Sequence, residues 1–178
     1  HGAYLGPDFS AEYLHTLAMD SAEMFSGALF NQPLSGLAPF QREMVQVRTA
    51  FLLKQNRYDY TSGKLLYTEE ESESFRRQLE KWRLYFTKPA LNRGLLVNQI
   101  SDPEELRKLT AFFAWTAWAS AANRPGKNYS FTNNFPYEPA IGNRPTVDAI
   151  LWSALSLITL LGGTAIVLFS FGRFKFLG

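Results

Sequence analysis

The feature that most constrains this chain lies near its C-terminal end, where Ala149 to Gly172 runs for 24 residues without a charge. At about 1.5 Å per residue, a helix of that length measures roughly 36 Å and can cross a hydrocarbon core of about 30 Å with some tilt. Its edges carry helix signals. Pro145 and Thr146 precede it, with Thr146 suited to cap the first turn and Asp148 suited to the positive end of the helix dipole. Arg173 and Lys175 follow the last apolar residues. The alternative is the core helix of a soluble domain, but the uncharged run exceeds the 18 or so residues that argue for a span. Whatever precedes it is expected to be a domain tethered to a membrane.

About 146 of the 178 residues lie ahead of that helix, enough for one globular domain with a real core. Up to Thr146 the chain holds 16 basic and 15 acidic residues, a near balance that leaves no electrostatic footprint for nucleic acid. Cysteine is absent, which excludes disulfides, Cys-ligated zinc and covalently attached c-type haem within this stretch. The positive-inside rule applied to Arg173 and Lys175 puts the C-terminal side in the cytoplasm and the domain outside it. The chain starts at His1 with no initiator Met or signal sequence and stops soon after one span, so both ends read as cut from a longer membrane protein.

Four helices are expected ahead of the span. After the Gly- and Pro-containing start His1–Phe9, Asp8 or Ser10 caps a helix over Ser10–Phe30, with Leu14, Leu17, Ala18, Phe25, Ala28 and Leu29 at helical spacing. Pro33 and Gly36 break it. A second helix begins near Pro39 and ends near Gln55, its apolar seam formed by Phe40, Met44, Val47 and Phe51 beside Arg42, Glu43 and Arg48. Tyr58 to Thr68 alternates about Thr61-Ser62-Gly63-Lys64 and predicts a short β-hairpin. Thr68 and Glu71 have the spacing of a capping box, which explains the acidic run Glu69, Glu70, Glu71 and Glu73 more simply than a metal or partner patch. The helix that follows has Phe75, Leu79, Trp82 and Phe86 as its buried seam. Asp102-Pro103-Glu104-Glu105 opens the last helix, with Leu106, Leu109 and Phe113 facing inward. Its end, Ala111 to Ala122, is apolar nearly all round and too short for a bilayer, so other protein is expected to bury it.

Asn123 to Thr146 holds five asparagines and four prolines, and no helix or regular sheet is read through it. Its Tyr129, Phe131, Phe135 and Tyr137 argue against free disorder. Chemistry is scarce. The two histidines, His1 and His15, have no second ligand at metal spacing, and no phosphate loop, nucleophile elbow or zinc-protease motif occurs. The residues alone describe an exported, mainly helical domain that docks on protein near a membrane. The sensing ectodomain of a single-pass receptor fits that description too, and a membrane-anchored cytochrome c would require a CxxCH motif before His1.

Two stretches carry a resemblance. His1-Gly2-Ala3-Tyr4-Leu5-Gly6-Pro7-Asp8-Phe9, and Asn123-Arg124-Pro125-Gly126 through Tyr129-Ser130 to Thr132-Asn133-Asn134-Phe135-Pro136-Tyr137-Glu138-Pro139, resemble the quinol-dependent nitric oxide reductases. These are single-chain bacterial members of the haem–copper oxidase superfamily. The resemblance implies a mainly α fold: a cytochrome c-like helical domain lacking haem, with a short β-hairpin, followed by one transmembrane helix. It divides the chain into an extracytoplasmic domain over residues 1–122, an Asn/Pro-rich connector packed on the membrane bundle over 123–146, the transmembrane helix over 147–172 and a cytoplasmic turn over 173–178.

By the same resemblance, the whole enzyme reduces two NO to N2O with electrons from quinol, in a bacterial cell membrane. Its b-type haems and non-haem iron sit on later helices, so this piece has no catalytic or cofactor-binding residues of its own. It caps the bundle and is inactive alone. Its partners are the remaining transmembrane helices and membrane lipid, and nucleic acid is not among them. Backbone carbonyls of Gly2 and Tyr4 would approach a calcium ion, although a tight turn explains Gly2 equally well. No methionine follows Met44, so the late axial Met ligand of a cytochrome c is missing. Gly162, Gly163 and Ala165 are expected to let a neighbouring helix approach the span.

Overall fold

A computed structural model of the chain describes residues 8–88, 96, 98–132, 135–139 and 144–174. Its residues fall into two compact units, divided between Asn133 and Asn134. The first contains α1 (Phe9–Phe30), a 3-10 turn (Leu34–Gly36), α2 (Pro39–Lys54), β1 (Tyr58–Asp59), β2 (Lys64–Leu65), α3 (Glu69–Thr87) and α4 (Pro103–Ala121). The second contains α5 (Val147–Phe174).

Each helix starts where the sequence supplies a partner for its unpaired amides. The Asp8 carboxylate accepts from the amide of Ala11 at 3.0 Å, and Asp102 accepts from that of Glu104 at 3.0 Å. Thr68 and Glu71 form the reciprocal box, with the Thr68 amide donating to Glu71 Oε2 at 2.8 Å. Asn31 ends α1 in the left-handed region at φ 52°, a conformation Asn tolerates better than most residues. The hairpin pairs Tyr58 with Leu65 and Asp59 with Lys64, and Gly63 takes φ +68° in the turn between them.

The core forms where α1 packs against α2, α3 and α4. Tyr13 and Leu17 of α1 meet Trp82 and Phe86 of α3 and Phe113 of α4, and a second cluster joins Ala22 and Phe25 to Val45 and Leu52 of α2. Small and polar residues are buried at these crossings as well. Ser74 donates to Asp20 Oδ2 at 2.6 Å, and the fully buried Gln78 amide donates to the Tyr13 carbonyl at 3.4 Å. Such bonds satisfy part of the polar surface that a close helix contact removes from water, while Gln78 Oε1 and Ser21 Oγ have no partner among the described residues.

The expected seams of α3 and α4 meet the core, whereas that of α2 and the C-terminal part of that of α1 lie elsewhere. Ala28 and Leu29 are exposed, and α1 instead buries Ser21, Ala22 and Ser26. The α2 seam faces away from the core, with Phe40 70%, Val47 65% and Phe51 65% exposed, while Val45, Thr49 and Leu52 point inward. On α3, Phe75 and Leu79 are half-buried and Tyr85 joins Trp82 and Phe86 inside. On α4, Leu106 and Phe113 are buried, Leu109 is half-buried, and Phe112 and Trp115 are left exposed. In each case the spacing identifies an apolar stripe; which stripe meets the core depends on where the neighbouring helix lies.

In the second unit α5 extends for 28 residues, capped by Thr146 through a 3.1 Å bond from the Ala149 amide. It is the one candidate membrane-spanning helix among the described residues. Thr164 turns its hydroxyl back onto the Leu160 carbonyl at 2.8 Å, which hides a polar group on an apolar helix.

Candidate functional site

The chemistry-bearing residues singled out in the sequence do not converge. Gly2 and Tyr4, the suggested calcium ligands, lie outside the described residues. His15 sits exposed on α1. Among the described residues no group of three His, Cys, Asp or Glu side chains could hold a metal ion.

The centre of the domain is built of rings. Phe9, at the start of α1, stacks on Phe113 of α4 with centroids 4.8 Å apart and planes 3° apart. Trp82 of α3 meets both edge-on, 5.5 Å from Phe9 and 5.1 Å from Phe113, and Tyr85 lies 5.6 Å from Trp82. Trp82 is 1% exposed and Phe113 5%, so side chains occupy the junction of α1, α3 and α4. These offset and edge-to-face contacts add to the burial of the rings themselves. Burial also pushes the Tyr13 phenol far above its ordinary range, helped by Tyr67 and by the Glu71 and Asp20 carboxylates.

Around this core the elements are clasped by charge. Arg57, between α2 and β1, pairs with Glu71 at the start of α3 and also donates to the Leu52 carbonyl at 3.0 Å. Glu71 therefore caps its own helix and holds the end of α2, a role that its place in an acidic run does not announce. Lys81 binds Glu12 and Thr16 across the α1–α3 contact.

The first part of the Asn/Pro-rich stretch is ordered on the helical unit. Asn123 donates its amide to the Lys54 carbonyl at 3.0 Å and bridges Ser130, and the amide of Phe131 donates to the carbonyl of Ala119 at 2.9 Å. Gly126 takes φ +66° at the tip. Inside the turn lies Arg124, only 3% exposed, its guanidinium 5.2 Å from the Phe131 ring and 5.5 Å from that of Tyr129. Its Nε donates to the Ser130 carbonyl at 3.0 Å, and Phe131 stacks on Trp118. Hydropathy alone would place this arginine at the surface. The aromatic residues close to it in sequence are the signal that it is covered.

The four-helix arrangement and this turn belong to a stretch that matches one family model. Residues 1–137 match the NorB cytochrome c-like domain of nitric oxide reductase. The chain belongs to that family. No curated protein matches it.

The nitric oxide reductase domain is thus cytochrome c-like in family and mainly helical in structure, and α5 follows it in the same chain. The described residues do not fit a c-type haem. The junction of α1, α3 and α4 is filled with Phe9, Trp82 and Phe113. The three methionines are no better placed as axial ligands: Met19 and Met44 are exposed on α1 and α2, and Met24 is only half-buried.

Proposed function

We propose that this chain is the haem-free outer cap and an early membrane helix of a single-chain, quinol-dependent nitric oxide reductase. The observation that carries the reading is the ring-filled core of a domain belonging to a cytochrome c-like reductase family. A domain of that kind has no evident electron carrier to pass charge inward from a soluble donor. Electrons would then enter the catalytic bundle from a donor within the membrane, for which quinol is suited. In the whole reaction two NO take up two electrons and two protons to give N2O and water. One quinol, in becoming quinone, supplies both electrons and releases two protons.

In this reading α5 spans a bacterial cell membrane with the domain on its periplasmic or extracellular side and Arg173 on the cytoplasmic side. Gly162, Gly163 and Ala165 would face a neighbouring span of the same polypeptide, because small residues let helix backbones approach in lipid. Residues 123–146 would join the cap to the bundle. The bundle would hold the b-type haems and non-haem iron, and Gly2 and Tyr4 would contribute carbonyls to a calcium ion at its outer edge.

The test is NO consumption by membranes containing the complete gene product, followed at an NO electrode. Reduced quinol is expected to drive NO loss at a rate that reduced cytochrome c does not match. Turnover with reduced cytochrome c alone, in membranes depleted of quinone, would reject the proposal.

A further inference from the structure

A cleft lies at the start of α5. Tyr137, Pro139, Arg144, Pro145 and Ile150 enclose about 440 Å³ within the second unit. Arg144 is the one charged residue that lines it, and it forms no ion pair among the described residues. Asp148 stands about 200° round the helix from Ile150 and is not part of the lining. Glu138, half-buried, does not line it either. The cleft thus sets one guanidinium and one phenol beside an apolar wall, a combination that suits an anion attached to a hydrocarbon.

The length of α5 sets the depth of this cleft in a bilayer. Its 28 residues measure about 42 Å, which matches the roughly 40–45 Å of a bilayer with its headgroups. Residues just before Val147 then stand at the level of the lipid phosphates. Beyond the cleft, Ile150, Leu157, Leu161 and Leu168 follow at intervals of seven, four and seven, a continuous row of large apolar side chains, each more than half exposed. The competing occupant is the remainder of the polypeptide that the domain is proposed to cap. A neighbouring span is received best at Gly162 and Gly163, where helix backbones can approach. Gly162 lies about 120° round the helix from Ile150, so the row is a separate face without small residues. A protein occupant would also have to bring a carboxylate to Arg144, whereas a glycerophospholipid carries its anion at that depth already.

We propose that this cleft holds one membrane glycerophospholipid, its phosphodiester on Arg144 and Tyr137 and one acyl chain along the row that starts at Ile150. The guanidinium supplies charge-assisted hydrogen bonds to the phosphate oxygens, and the phenol hydroxyl adds a neutral one. A lipid held in this way fixes the depth at which α5 begins. The site rests on α5 being a span, as in the function proposed for the chain, and not on which donor supplies the electrons.

The test uses a phosphatidylglycerol that bears a photoactivated diazirine in the upper part of one acyl chain. The complete gene product, in membranes containing this probe, is illuminated and digested, and labelled residues are located by mass spectrometry. Labelling concentrated at Ile150, Leu157 and Leu161 is expected. Arg144→Gln should lower it about tenfold, the loss of one charge-assisted contact. R144K should keep most of it, and Arg173→Gln, at the far end of α5, should leave it unchanged. Circular dichroism shows that each variant keeps its helices. Label spread evenly round α5, or equal in R144Q and the parent, would overturn the site in favour of ordinary boundary lipid. Equal label from a diacylglycerol probe, which lacks the phosphate, would overturn the role of Arg144. Label at the row in the 178-residue chain but not in the complete product would assign the cleft to the rest of the polypeptide. A product that fails to enter the membrane would overturn the span together with the site, whereas full insertion with R144Q labelled like the parent overturns the site alone.

Discussion

The rings of Phe9 and Phe113 lie face to face, 4.8 Å between centroids and 3° between planes, and so join the first turn of α1 to the middle of α4. Phe113 is 5% exposed and its neighbour Trp82 closes the third side. Phe113→Ala removes the ring on which both depend and leaves a cavity that helix packing cannot fully close. A loss of about 3–5 kcal/mol is expected in chemical denaturation. A loss below about 1 kcal/mol would mean that the ring junction is not the centre of the core.

Glu71 supports two structures at once. Its carboxylate accepts the Thr68 amide and pairs with Arg57, and both side chains are largely covered, at 9% and 17% exposure. Glu71→Ala strands the arginine and opens the cap, at a cost of about 2–4 kcal/mol. Glu71→Gln keeps a cap acceptor and should cost roughly half as much. Thermal unfolding of the two variants checks the order, and equal losses would show that the cap contributes nothing.

Stability should fall at both ends of the pH scale. Tyr13 has its folded pKa raised, so its contribution is fully present below the ordinary phenol value of about 10 and is lost as pH rises beyond it. Hydrogen bonds from Arg76 and Arg77 lower Glu73, and bonds from Arg83 and Arg107 lower Glu80 and Glu104. For these three the contribution is present above the ordinary carboxylate range and is lost as pH falls through the depressed folded values. All three are at the surface, so the acid arm should be shallow and weakened by salt. In Tyr13→Phe the alkaline loss should be smaller than in the parent chain; an unchanged alkaline limb would contradict the assignment.

The span is testable by one charge. Leu160 lies at the midpoint of α5, where an arginine costs about 2.5–3.5 kcal/mol of insertion. Leu160→Arg should reduce the inserted fraction sharply in a membrane-integration assay. Insertion equal to that of the parent sequence would argue that α5 is not a span.

Local signals in the sequence anticipate the elements well. Asp8, Pro39, Thr68 with Glu71, Asp102 and Thr146 each stand where a helix begins, because a cap is a contact within one turn. The hairpin is similarly readable from Gly63 and the alternation about it. What needs the structure is the partner of each face. Phe40, Met44, Val47 and Phe51 have helical spacing whether they face the core or lie outside it. Ser21, Ser74 and Gln78 enter the core because helices cross there closely, a fact that hydropathy does not encode. Arg124 is covered by rings that its own turn brings over it. The fold is therefore legible in its elements, the surface chemistry only in part, and Gly2 and Tyr4 lie outside the described residues.

The central claim is that this cytochrome c-like reductase domain carries its core without haem. The absorption spectrum of the purified chain, expressed with haem supply and then offered free haem, addresses it directly. The account predicts no stable low-spin Soret band and no change in the unfolding midpoint on haem addition. A one-to-one, low-spin haem complex that survives gel filtration and raises that midpoint would contradict it.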